Sequence, residues 1–147
     1  MTTTTLNASW LIPQQSHRSR KGRSRVVHGD VVLMPAGVLW DAVRTPLNLG
    51  MPVLGRLLAH EDDAELLGPV LADRMRGWLY WLISPGCTDD WPDWARLLGA
   101  DSWLGAPTTA FAPTPDATWL HLPDQRIVSG PAWLAAALWD DHLTTAA

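Results

Sequence analysis

Few side chains in this chain could do chemistry. Asp41 stands in "VLWDAVR", a carboxylate inside an apolar run, three residues before Arg44. A carboxylate so placed is a candidate acid, base or metal ligand, or else one half of an ion pair with Arg44 or another arginine. His121 follows Trp119 by two residues in "TWLHLP". It reads as a half-buried histidine satisfied by a neighbour, with acid–base work as the alternative. "HEDD" (60–63) and "DDH" (140–142) carry hard metal ligands. Both lie near expected helix ends, where solvated charge is ordinary, and a single cysteine cannot build the usual structural zinc site. Cys87 is followed by Asp89 and Asp90 rather than by a base or a cation, so it reads as an incidental thiol. "HGD" (28–30) reads as turn chemistry. The chain holds no glycine-rich phosphate loop, and no metal or cofactor is expected.

The strongest charged feature is "SHRSRKGRSR" (16–25), in which Arg18, Arg20, Lys21, Arg23 and Arg25 place five positive charges and no acid. With 11 basic and 15 acidic residues in all, the remaining residues carry six positive and fifteen negative charges. A basic arm therefore precedes an acidic body. Such a block neutralises phosphates or meets an acidic protein surface; as a plain alternative it stays solvated or folds back on the body. The aromatic content is almost all tryptophan, with ten Trp against one Tyr and one Phe. Trp91 and Trp94, three residues apart, are candidates for a ligand platform with Trp103, against packing at a core or its edge.

The elements that must position these residues follow from pattern and punctuation. Residues 1–25 are too poor in apolar side chains to offset ordering entropy, so a disordered basic arm is expected, with Trp10, Leu11 and Ile12 as an apolar island able to dock. Residues 26–147 form one domain. "VVLM" (31–34) and "VLWDAV" (38–43) read as strands. Thr45 is placed as the cap of a following helix with Pro46 at its first position, and Pro52 as a residue that delays its start. "GPVLAD" (68–73) and "GWLYWLIS" (77–84) form an antiparallel hairpin. In the second strand Trp78, Tyr80 and Leu82 face one side and Leu79, Trp81 and Ile83 the other, so this strand is central and covered on both faces. "DDWPDWARLLG" (89–99) reads as a short helix capped by Asp90, with Trp91, Trp94 and Leu98 on one face. "SWLGAP" (102–107) and "TWLHLP" (118–123) are strands, and "SGPAWLAAALWDDHL" (129–143) is a helix capped by Ser129. The fold class is α+β (mixed α/β), a mostly antiparallel sheet in one layer over helices. No apolar run is long enough to span a membrane, the N-terminus lacks the pattern of a signal peptide, and cysteine is scarce, so a cytoplasmic protein is expected.

Three stretches resemble divergent, shortened relatives of the bacterial primase/polymerase (prim-pol) domain. They are "PAGVLWDAVRTP" (35–46), "GPVLADRMRGWLYWLISPG" (68–86) and "LLGADSWLGAPTTAFAPTPDATWL" (97–120). Together they lie within residues 31–122, and the likeness is one of pattern without an invariant signature. The resemblance implies a strand bearing acidic ligands for two divalent ions, then a hairpin with a nucleotide-binding histidine. Asp41 matches the first acidic position. Val43 or Arg44 stands at the next, and Leu79 at the histidine. Two-metal phosphoryl transfer needs both carboxylates, so the resemblance implies a chain that is not a working polymerase.

The first expectation is thus a catalytically inactive prim-pol-like binding or interaction module, associated with nucleic acid or an acidic surface through Arg18 to Arg25. The alternatives are a small metal-dependent enzyme using Asp41 with Asp73, Asp89 or His121, a ligand-binding protein using exposed tryptophans, and a subunit that packs on a protein partner or on itself as a homo-oligomer.

Overall fold

The fold is that of a computed structural model, which describes residues 8–12, 25–28, 31–107 and 117–145. Among these, a five-stranded antiparallel sheet is covered by helices on one face and by a three-stranded sheet on the other. The small sheet orders β1 (Arg25–His28), β2 (Val31–Pro35) and β7 (Trp103–Pro107). The large one has the order β6 (Arg96–Leu98), β3 (Asp41–Pro46), β5 (Trp78–Ile83), β4 (Val70–Asp73) and β8 (Thr118–His121). The domain is α+β, as its pattern of elements implies. The expected single strand layer is in fact two. β2 and β7 pair with each other over five residues, from Val31↔Pro107 to Pro35↔Trp103, and leave the main sheet to β3 and β5.

β5 is the middle strand, and its two apolar faces divide the core. Leu79, Trp81 and Ile83 pack with Val43 and Val70 against α1 (Leu47–Ala59) and α3 (Pro131–Thr145), through Val53, Leu54, Leu57, Leu134 and Leu138. Leu82 packs with Ala42, Leu71 and Trp119 against Val32, Met34, Leu104 and Ala106 of the small sheet. The apolar island of the N-terminus docks here too. Leu11 is fully buried, and its carbonyl accepts a 2.9 Å hydrogen bond from Trp40 Nε1. Residues 13–24, which hold most of the expected basic arm, lie outside the described residues.

Several boundaries differ from the pattern, each for a physical reason. The strand expected at 38–43 begins at Asp41, because Gly37 (φ 87°) turns the chain and its N–H bonds Trp40 O. Thr45 does not cap α1. It is buried in β3, where Oγ1 accepts from Trp81 Nε1 at 3.0 Å. α1 starts at Leu47 with no side-chain cap, its first N–H donating to Gly77 O, and Pro52 lies inside it. Ser129 likewise spends its hydroxyl on a distant group, accepting from Gly68 N–H at 2.8 Å. Residues 90–98 are not helical: a turn over Pro92–Ala95 leads into β6, which pairs with the open edge of β3. A short helix is marginal without tertiary support, and a free sheet edge offers this segment backbone partners instead. The acidic α2 (Glu61–Leu66) follows α1, with three carboxylates in its first turn where the helix dipole favours them. No helix among the described residues is long and apolar enough to cross a membrane.

Candidate anion-binding site

β3 alternates, and that separates its two polar side chains. Asp41 shares a face with Val43 and Thr45, whereas Arg44 lies on the opposite one with Ala42. The simple ion pair between Asp41 and Arg44 is therefore not formed. Asp41 is buried; Oδ2 accepts from the Gly86 N–H at 3.0 Å, and Oδ1 has no partner. Its carboxylate holds the turn after β5, where Gly86 has φ 79°.

The residues present do not fit the paired-carboxylate centre that the prim-pol resemblance implies. Val43 enters the helix-side core and Arg44 turns away. The groups proposed for a single ion are also scattered. Asp41 pairs with Ile83 at one end of β5 and Asp73 with Trp78 at the other, about 16 Å apart along the strand. His121 is on β8, with Nδ1 3.0 Å from Gly68 O. Among the described residues no group of three or more His, Cys, Asp or Glu side chains could hold a metal.

Sheet pairing instead assembles a cationic and aromatic corner. Arg44 stands opposite Tyr80 of β5 on one side and Arg96 of β6 on the other. Cross-strand partners share a face and lie close, and like charges so placed repel. The Arg44 guanidinium carbon lies 4.1 Å from the Trp78 ring centroid. Stacking of this kind stabilises by about 0.5–2 kcal/mol. Arg44 Nε is buried without a hydrogen-bond partner. The next turn, Arg74–Gly77, adds Arg74 and Arg76. Arg76 is held by Asp73, which accepts from its backbone N–H at 3.2 Å and from Nη1 at 3.0 Å.

Tyr80 senses this balance. Burial, followed by the Asp73 charge, raises its phenol above the usual value of 10.0, while Arg44 and Arg76 pull it back. The hydroxyl accordingly stays protonated and able to donate. Of the six positive residues outside 16–25 (Arg44, Arg56, Arg74, Arg76, Arg96 and Arg126), four lie at this end of the sheet. Among the described residues, Asp73 is engaged by Arg76. Two facing arginines, one of them stacked on Trp78, make this corner a candidate receptor for a phosphate or carboxylate oxygen.

Of the candidates named from sequence, Arg44 alone falls in this corner. Arg18, Arg20, Lys21 and Arg23 lie outside the described residues, and Arg25 opens β1 opposite Leu33. Trp91 and Trp94 are half-buried against the helix-side core, and Trp91 Nε1 is buried without a partner. Trp103 is the one exposed tryptophan among those described, at 45%. Arg96 was hidden by the helical reading of its segment, whereas Trp78 and Tyr80 were already assigned a common face. Comparison of the chain with family models, with curated proteins and with solved structures finds no match.

Proposed function

We propose that this chain is a non-catalytic, nucleic-acid-associated binding module of the cytoplasm, a divergent prim-pol-like domain without the catalytic set. One observation carries the reading: four of the six arginines outside the basic stretch gather at one end of the sheet around Trp78 and Tyr80. There Arg44 keeps a buried, unpartnered Nε. Clustered guanidinium groups hold phosphodiesters, and the basic stretch 16–25 adds charge that tracks a backbone. The isolated carboxylate Asp41, tied to Gly86, supports the non-catalytic part of the proposal.

Tryptophan fluorescence tests it, because the Arg44–Trp78 contact places an intrinsic reporter at the corner. Titration with single-stranded and duplex DNA is expected to give a saturable, salt-sensitive change that Arg44→Gln weakens about tenfold, as loss of one good charge-assisted contact does. No response in low salt, or full retention of binding in Arg44→Gln with Arg96→Gln, overturns the reading. Metal-dependent nucleotide incorporation that Asp41→Ala abolishes overturns the non-catalytic part.

A further inference from the structure

Helix α1 carries almost no polar surface. Of its thirteen residues only Asn48 and Arg56 are polar, and Arg56 is turned inward, with Nη2 donating to Ala137 O of α3 at 2.8 Å. Gly50, Val53, Leu54 and Leu57 form the inward face. The outward face is Asn48, Met51, Pro52, Gly55, Leu58 and Ala59, all exposed. Leu49, Met51 and Leu58 are each 40% exposed, and Leu66 of α2 is 54% exposed. A helix apolar all round is the pattern of a helix covered on all sides. An apolar strip rimmed by charge is a candidate contact surface.

The strip is bounded by opposite charges. At its start, Leu47 N–H donates to Gly77 O at 2.8 Å, which sets the turn bearing Arg74, Met75 and Arg76 beside the first residue of α1. At its end, α2 begins two residues after Ala59, with Glu61, Asp62 and Glu65 exposed. Gly55 lies between, eight residues from Leu47 and six from Glu61, and a Cβ there would meet nothing within 4 Å.

We infer that this face is a dimer interface, in which α1 packs antiparallel against α1 of a second copy about a two-fold axis near Gly55. The antiparallel sense follows from charge. It sets the basic turn of each copy on the acidic α2 of the other, whereas a parallel pairing sets like on like. A two-fold contact repeats every such pairing twice. The helix strip alone, about 20 Å by about 10 Å, is smaller than the roughly 800 Å² that each partner buries in a stable interface. Exposed Met75 in the flanking turn and Leu66 in α2 add apolar surface beside the strip. Arg44, Trp78 and Tyr80 lie on the opposite face of the sheet, while the Arg74–Arg76 turn belongs to both surfaces.

Sedimentation velocity of the full chain without nucleic acid, at micromolar concentration, tests it. The wild-type chain is expected to be a dimer. Leu58→Glu is expected to be a monomer with unchanged circular dichroism. Arg74→Glu should weaken the dimer about tenfold or more, because it sets like charges together. Adding Asp62→Arg to Arg74→Glu should restore the dimer, which keeps the test independent of how well any single variant folds. A monomeric wild type, a dimer indifferent to Leu58→Glu, or failure of the double variant to recover would each overturn the inference.

Discussion

Tyr80 reports on the arginine corner without a label, because it is the only tyrosine in the chain. Its folded-state pKa lies above 10.0 because burial, then the Asp73 charge, outweigh the pull of Arg44 and Arg76. The folded chain then holds the phenolic proton to higher pH than the unfolded chain. Stability from this group is intact below pH 10 and falls as pH rises through the folded value. A tyrosinate absorbance titration is expected to give a midpoint above 10.0 in wild type. In Arg44→Gln it should rise further, since a cation that favours the phenolate is gone. Tyr80→Phe should flatten the alkaline fall in urea midpoint. Thr45 makes a second case at this scale. Its hydroxyl is the acceptor for the buried Trp81 indole, so Thr45→Val keeps the shape and strands the N–H. Equilibrium urea unfolding should show a loss of about 1–3 kcal/mol. Sequence made Thr45 a helix cap because threonine before proline is the usual signal. Its true partner is 36 residues away, and no local pattern points to it. Asp41 was visible as an odd carboxylate, but its isolation from other acids became visible only with the strand pairing.

Glycine separates the two sides of α1 at the scale of the element. Gly50 lies on the buried side, where a Cβ would stand 2.6 Å from Thr45 Oγ1 and 2.7 Å from Leu79 Cδ1. Gly50→Ala should destabilise by about 1–3 kcal/mol, as overpacking does. Gly55 faces outward with open space, so Gly55→Ala should stabilise the helix by about 0.5–1 kcal/mol. Urea unfolding in the Leu58→Glu background, where dimerisation does not contribute, checks both signs. The elements that sequence located well carry their own signal: apolar β-branched or aromatic runs in β2 and β5, turn residues between β4 and β5, and the long alanine- and leucine-rich α3. Those it missed depend on partners. β6 is three residues long and exists because β3 has an open edge. Ser129 precedes a helix but bonds Gly68, so its capping pattern misled. β2 and β7 were each legible as strands, yet nothing in either says that they leave the main sheet to form a second one.

Charge is organised over the whole molecule, and that arrangement fixes how binding must respond to salt. The sequence showed a basic stretch before an acidic body, but the four arginines at one end of the sheet come from three separate segments, so only the folded chain brings them together. Leu11, before the basic stretch, is core, and Arg25, at its end, opens β1. Deleting residues 1–25 would strip the acceptor from Trp40 Nε1 and confuse lost charge with lost core. Neutralising Arg18, Arg20, Lys21 and Arg23 to glutamine leaves both anchors in place and isolates the electrostatic part. Each phosphate contact releases counterions and adds about 0.7–0.9 to the slope of log affinity against log salt. If the stretch and the corner act together on one strand, the fourfold variant should lower that slope by about 3 and Arg44→Gln by about 1. If the two sets of charges hold different phosphates, the combined variant should show the sum. A fourfold variant with an unchanged slope would assign all binding to the corner. An unchanged slope in Arg44→Gln, with affinity lost only in the fourfold variant, would instead return the arginine corner to a purely structural role.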